Sequence, residues 1–164
     1  MNVQIFPSRL CGAVTPPVSK SMAHRAVLAA MLSGSSGPAP NQAWSEDILA
    51  TNRCVAALKQ PGAELPLLDC GESGSTLRFL IPIALALTGN VAFRGHGRLM
   101  QRPQTPYFEL FREKGIDYRL EGDLLTVQGV LTPGQYALRG DISSQFITGL
   151  LYALPLLHGD SDIV

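Results

Sequence analysis

Four short segments of this sequence concentrate the residue types that hold anions. The first is Pro16-Pro17-Val18-Ser19-Lys20-Ser21-Met22-Ala23-His24-Arg25. A rigid proline turn there feeds a helix whose first backbone N–H groups lack intrahelical partners and are open to an anion. Lys20 adds a mobile positive charge and Ser21 a hydroxyl. Arg25, four residues on, shares the helix face of Ser21. A capped surface helix is the plain alternative, and His24 reads as structural rather than site-lining. The second segment is Asp69-Cys70-Gly71-Glu72-Ser73-Gly74-Ser75-Thr76-Leu77-Arg78-Phe79. Its glycines let a ligand approach the backbone, and successive N–H groups form an anion-binding concavity. It lacks the Gly-Lys-Ser/Thr ending of a Walker loop, and helix capping explains it equally well. Arg78 either binds or braces this loop, and Glu72 suits a bare anion pocket only if it points away.

The third segment is Arg94-Gly95-His96-Gly97-Arg98-Leu99-Met100-Gln101-Arg102-Pro103, with three arginines at four-residue spacing and no acid between them. Its glycines and proline argue for an ordered loop, and Arg102, stiffened by Pro103, is the stronger binding candidate. Surface ion pairing competes with that reading. The fourth is Gly140-Asp141-Ile142-Ser143-Ser144-Gln145-Phe146-Ile147-Thr148-Gly149-Leu150. Ser143, Ser144 and Gln145 at a helix start offer two hydroxyls and an amide, which orient a hydroxylated, phosphorylated ligand without adding charge. Capping accounts for at least one of the serines. Phe146, Leu150 and Tyr152 read as core.

Composition narrows the classes further. The chain has 164 residues, 13 Lys+Arg against 13 Asp+Glu, and 46% hydrophobic residues. That suits a packed domain and excludes a disordered or collagen-like chain. The neutral total hides an asymmetry: residues 1–102 hold nine basic and five acidic groups, and the remainder four and eight. Ten of the thirteen basic groups are arginine, whose fork matches phosphate and carboxylate oxygens. Without compact basic runs, nucleic acid is not an expected partner, whereas small anions are. No apolar run is long enough to suggest a membrane span and no secretion signal is evident, so a cytoplasmic location is expected. The three cysteines (Cys11, Cys54, Cys70) and three histidines lack metal-ligand spacing, and no nucleophile elbow is present.

The elements that must position these segments follow from periodicity and punctuation. Strands are expected at 2–6 and 10–14, then a helix from Ser19 or Ser21 to about Met31 with Met22, Ala26, Ala29 and Ala30 inward. A turn-rich stretch, 33–40, precedes a helix capped at Ser45 that runs to Leu58 and stops at Pro61-Gly62. A short strand at 65–68 leads to an apolar helix through about Leu87, which Pro82 distorts or divides. A strand at 91–94, a helix at 105–114 ended by Gly115, and a hairpin of 116–120 with 124–128 come next. A strand at 135–138 and a helix at 143–156 follow, and Ile163-Val164 reads as a strand beginning. This mixture predicts an α/β fold. The ending predicts that the sequence is a piece of a longer chain.

The ordered set Pro-Pro-x-Ser-Lys-Ser-x-x-x-Arg, Gly-x-Ser-Gly-Ser-Thr-x-Arg, Gly-x-x-Arg-Pro and Gly-Asp-Ile-Ser-Ser-Gln-Phe resembles the N-terminal portion of the 3-phosphoshikimate 1-carboxyvinyltransferase (EPSP synthase) family, from Gly12 to Val164. The resemblance implies repeated βαβαββ units forming an incomplete part of a two-domain inside-out barrel. Residues 1–11 would contribute to the other domain and 12–164 would form an incomplete substrate-binding domain. It implies that Lys20, Ser21, Arg25, Ser143, Ser144 and Gln145 bind shikimate 3-phosphate. Lys20, Gly74 and Arg102 would meet phosphoenolpyruvate, with Lys20 as the catalytic residue.

The implied reaction transfers the enolpyruvyl group of phosphoenolpyruvate to the 5-hydroxyl of shikimate 3-phosphate. It needs no cofactor or metal. The missing C-terminal half would carry the main acid–base residues, so this portion alone is expected to lack useful turnover, and the complete enzyme is expected to be monomeric. The sequence departs from the family pattern at Glu72, usually Asn, and Ser75, usually Thr, and the interval from Leu32 to Cys70 is short. The sister enolpyruvyltransferase acting on UDP-N-acetylglucosamine is an alternative, disfavoured by Lys20-Ser21 and Ser143-Ser144-Gln145. A noncatalytic anion-binding module is another.

Overall fold

The computed structural model of the chain describes residues 3–7, 9, 11–16, 18–38, 44–60 and 65–164. Three helices begin at a serine that accepts a hydrogen bond from an N–H otherwise left unpaired. Helix α1 (Lys20–Ser33) follows Ser19, whose Oγ accepts from the Met22 N–H at 3.4 Å. Helix α2 (Glu46–Leu58) carries Glu46 and Asp47 in its first turn, where the positive end of the helix favours carboxylates. Strand β1 (Leu67–Asp69) leads to α3 (Gly74–Thr88), capped by Ser73. Strand β2 (Asn90–Arg94), helix α4 (Thr105–Lys114) and the hairpin β3 (Asp117–Glu121) with β4 (Leu124–Gln128) come next. Strand β5 (Gly134–Tyr136), helix α5 (Ser144–Ala153), capped by Ser143, and strand β6 (Ser161–Ile163) complete the order.

The main sheet has the order β1-β2-β4-β3, with β1 parallel to β2 and the other pairs antiparallel. Register aligns Leu68 with Phe93 and Phe93 with Leu125, and all three are fully buried. The parallel β5–β6 pair forms a second, smaller sheet. The run β1-α3-β2-α4-β3-β4 is one complete βαβαββ unit, and β5-α5-β6 opens another. The expected α/β class and repeating unit are both present.

Several local expectations are corrected. Residues 3–6 and 11–14 take no strand, because no neighbouring strand lies beside them; residues 2 and 10 lie outside the described set. Pro17, Pro40, Pro61 and Gly62 also lie outside it. In α1 the buried positions are His24, Val27, Leu28 and Ala30, so Met22, Ala26 and Ala29 face outward. The inward phase is set by polar His24, which finds a buried hydroxyl partner on α2. Helix α5 gives way to a short 3-10 turn at Leu154–Leu156, where Pro155 cannot donate to the α pattern. Only eight residues, 59–66, join α2 to β1, too few for two five-residue strands. The corresponding stretch after α4, residues 115–133, contains the β3–β4 hairpin. This eight-residue link lies within the interval from Leu32 to Cys70 that the sequence shows to be short.

Pro82 sits inside α3 without dividing it. A proline lacks the N–H that would pair with the carbonyl four residues earlier, here that of Arg78. Tyr107 supplies the replacement: its Oη lies 2.8 Å from the Arg78 oxygen and 2.9 Å from the Phe146 oxygen, sharing one proton between them. Burial drives the Tyr107 phenol well above its ordinary pKa, so it stays a donor. Gly149 of α5 completes the joint. A Cβ there would strike Tyr107 Oη and would lie 2.6 Å from the Arg78 oxygen and 3.0 Å from Pro82 Cγ. In the complete protein, Tyr107→Phe and Gly149→Ala should each lower stability by roughly 1–3 kcal/mol, through an orphaned carbonyl and overpacking respectively. Urea unfolding measures this, and midpoints equal to wild type would contradict the joint.

Candidate anion-binding site

The capped ends of α1, α3 and α5 and the loop after β2 carry the residues singled out above. Lys20 opens α1, and its Nζ lies 2.7 Å from Asp47 Oδ2 in the first turn of α2. One turn on, Arg25 folds back to Ser21, donating to its carbonyl at 3.0 Å and to its Oγ. Arg25 Nη2 also reaches Thr148 Oγ1 on α5 at 3.3 Å, and its guanidinium stands 5.4 Å from the Phe79 ring centre. Tyr152 of α5 donates to the Arg25 carbonyl at 3.2 Å. These contacts tie Lys20, Ser21 and Arg25 to the helix that Ser143, Ser144 and Gln145 begin.

Gln145 links that helix to the glycine loop. Its Nε2 donates to Ser75 Oγ at 2.8 Å, and its Oε1 accepts from Arg78 Nη1 at 2.8 Å. Arg78 continues to the Pro103 carbonyl at 3.2 Å and stands 4.8 Å from the Phe146 ring centre. Burial, and after it the nearby Arg102 charge, lower its pKa. Gly74 is the pivot. A Cβ built on it would come within 3.2 Å of Arg102 Nη1 and 4.0 Å of both Arg78 Nη1 and Gln145 Oε1. Gly74, Arg102 and Gln145 therefore meet at one point, where two guanidinium groups stand beside a helix N-terminus and the Gln145 amide oxygen orients one of them. Such a constellation favours a carboxylate or phosphate.

Glu72 does point away. A Cβ on Gly97 would lie 2.7–2.9 Å from the Glu72 carboxylate, so that group rests on the turn after β2 rather than on Gly74. On the same side, Asp69 Oδ1 accepts from the Gly71 N–H and pairs with His96 Nε2, both at 2.9 Å. Burial works against Asp69 ionisation, but these bonds and the His96 and Arg53 charges hold its pKa below the usual range.

Not every expected residue joins the cluster through its side chain. Ser143 Oγ is taken up as the α5 cap, accepting from the Gln145 N–H at 3.3 Å, and Ser144 is exposed. Asp47 and Thr148 were not anticipated. Asp47 is a first-turn acid of α2, and only the tertiary approach of α1 gives it Lys20. Arg78 is a brace. Among the described residues no group of three or more His, Cys, Asp or Glu could hold a metal ion, and no helix is long and apolar enough to cross a membrane.

With this geometry in view, comparison with known proteins is decisive. A sequence model of the EPSP synthase (3-phosphoshikimate 1-carboxyvinyltransferase) family matches residues 6–164. The chain belongs to the EPSP synthase family. It is 42% identical over 190 positions to the 3-phosphoshikimate 1-carboxyvinyltransferase of Clostridium novyi, covering 99% of this chain and 44% of that protein. The Clostridium kluyveri enzyme of the same name is 44% identical, covering 98% and 42%. The chain thus spans less than half the length of these curated relatives. The Clostridium novyi alignment is also at least 26 positions longer than this chain. An EPSP synthase structure from Acinetobacter baumannii shares the fold, with a TM-score of 0.67 at 22% identity over 93% of this chain and 40% of that one.

Beneath the EPSP synthase motif on α1, His24 is 1% exposed and burial lowers its pKa from 6.5 to about 4. Between those values the unfolded chain binds a proton that the folded chain refuses, so stability falls as pH drops. We expect a loss of about 3 kcal/mol from pH 6.5 to 4 from this residue. Urea unfolding of the complete protein against its His24→Asn variant isolates that share, and identical pH slopes would refute it.

Proposed function

We propose that the complete protein containing this chain transfers the enolpyruvyl group of phosphoenolpyruvate to the 5-hydroxyl of shikimate 3-phosphate, releasing phosphate. The observation that carries this reading is the convergence of Gly74, Arg102 and Gln145 beside a second cluster, Lys20, Ser21 and Arg25, joined through α5 in a member of this family. Ser21, Arg25, Ser143, Ser144 and Gln145 would hold the phosphorylated cyclic alcohol. Gly74 and Arg102 would hold phosphoenolpyruvate, and Lys20 would stand between the two ligands. The rest of the chain, closing the site as the second domain of an inside-out barrel with residues 1–11, would supply the acid–base groups. In that setting residues 12–164 form one incomplete substrate-binding domain, inactive alone, within a monomeric cytoplasmic enzyme.

The chemistry follows from the substrates. Protonation of phosphoenolpyruvate at C3 makes C2 electrophilic, and the 5-hydroxyl adds there as its proton departs. The resulting tetrahedral centre keeps its phosphate until the C–O bond to phosphate breaks and C3 loses a proton, leaving the enolpyruvyl ether. Every species is anionic, so fixed cations and backbone donors act throughout by positioning and electrostatics.

The test uses the complete protein. Phosphate release that depends on both substrates, with formation of the enolpyruvyl ether, is expected. Lys20→Ala should lower kcat/KM by about 100-fold or more, the loss expected when a pre-positioned charge is removed. A folded protein forming no product from this pair, or using UDP-N-acetylglucosamine as acceptor instead, would overturn the assignment.

A further inference from the structure

Helices α1 and α2 touch through two rungs one turn apart. Lys20 and His24 are four residues apart on α1, and Asp47 and Thr51 are four apart on α2, so each pair shares a face. The outer rung is the exposed Lys20–Asp47 ion pair, 53% and 29% exposed, and pairs of that kind fix geometry weakly by themselves. The inner rung is fully buried: His24 Nδ1 lies 2.7 Å from Thr51 Oγ1. From Thr51 a hydroxyl chain continues to Thr76 Oγ1 at 2.7 Å and from Thr76 to Ser73 Oγ at 2.7 Å, reaching the residue that caps α3 just before Gly74. Both threonine hydroxyls also lie within hydrogen-bond distance of the Asp47 carbonyl, at 3.3 and 3.2 Å. Each threonine has one proton, so a hydroxyl that donates to the Asp47 carbonyl, from α2 or from α3, does so in place of its onward link in the chain.

We propose that His24, Thr51 and Thr76 form a buried brace that positions Lys20, through Asp47, and Gly74, through Ser73, so that these three are positioning residues touching no ligand themselves. Hydroxyls serve here because each donates and accepts, so the chain closes with either tautomer of His24. A neutral imidazole also adds no charge beside Lys20, and its lowered pKa agrees with that state. His24 Nε2, buried and without a partner, is a cost that an apolar residue at this position would not incur. The brace offsets it by setting where two binding groups stand.

The inference rests on the anion-site reading above, and its test separates the two. In the complete protein, Thr51→Val keeps the shape and removes the hydroxyl, Thr51→Ser keeps the hydroxyl, and Thr76→Val breaks the chain one link further. We expect Thr51→Val to weaken binding of inorganic phosphate, measured by calorimetry, and to raise KM for both substrates roughly tenfold, a misplacement effect smaller than removal of the charge. Thr51→Ser should restore both. In a Lys20→Ala background, Thr51→Val should add much less than its own factor, because its effect passes largely through Lys20. If Thr51→Val does not fold, Thr76→Val carries the same comparison. Unchanged phosphate binding in the valine variants, or the same factor lost in the Lys20→Ala background, overturns the brace. Wild-type protein that binds phosphate but forms no enolpyruvyl product would sink the assigned reaction and leave the calorimetric comparison intact.

Discussion

The packing of α5 on α3 is the contact on which the site depends. Pro82 removes an N–H from the middle of α3, and the carbonyl it frees, that of Arg78, is taken by Tyr107. Gly149 lets α5 come close enough for Tyr107 to reach the Phe146 carbonyl as well. Because α5 is held there, Gln145 at its start lands between Ser75 and Arg78, beside Gly74. A helix defect, a small residue and a buried phenol together place the Gln145 amide.

Charge is arranged with similar economy. Lys20 meets an acid at the surface, whereas Arg78 is held by an amide and carbonyls, so its charge is oriented without being neutralised by a carboxylate. Arg102 beside it adds to the positive field and, after burial, contributes to lowering the Arg78 pKa. Glu72, the one acid in the glycine loop, is turned onto Gly97 and kept off this field. Under the proposed function, an anion with a carboxylate and a phosphate would meet fixed cations and helix N-termini with little reorganisation, which is how electrostatic catalysis gains most.

Much of this was legible in the sequence. The four motifs, the family and the βαβαββ order follow from local residue types, since Ser caps, Gly stops and apolar periods act over a few residues. The serine caps at 19, 73 and 143 are of that kind. What escaped was tertiary. Nothing local shows that Asp47 receives Lys20, that Thr148 receives Arg25, or that His24 rather than Met22 sets the inward face of α1. Of the strands expected at 2–6 and 10–14, the described residues 3–6 and 11–14 form none for a related reason, because weak alternation or an apolar run does not supply a partner strand. Pro82 looked like a break because its rescue lies in Tyr107, twenty-five residues away.

A crystal structure of the complete protein with shikimate 3-phosphate tests the central claim most directly. The account predicts the ligand between the starts of α1 and α5, its phosphate or hydroxyl oxygens within hydrogen-bond distance of Ser21, Arg25 and Gln145, with Gly74 and Arg102 beside it. A ligand bound elsewhere on a folded protein, with these residues untouched, would contradict it.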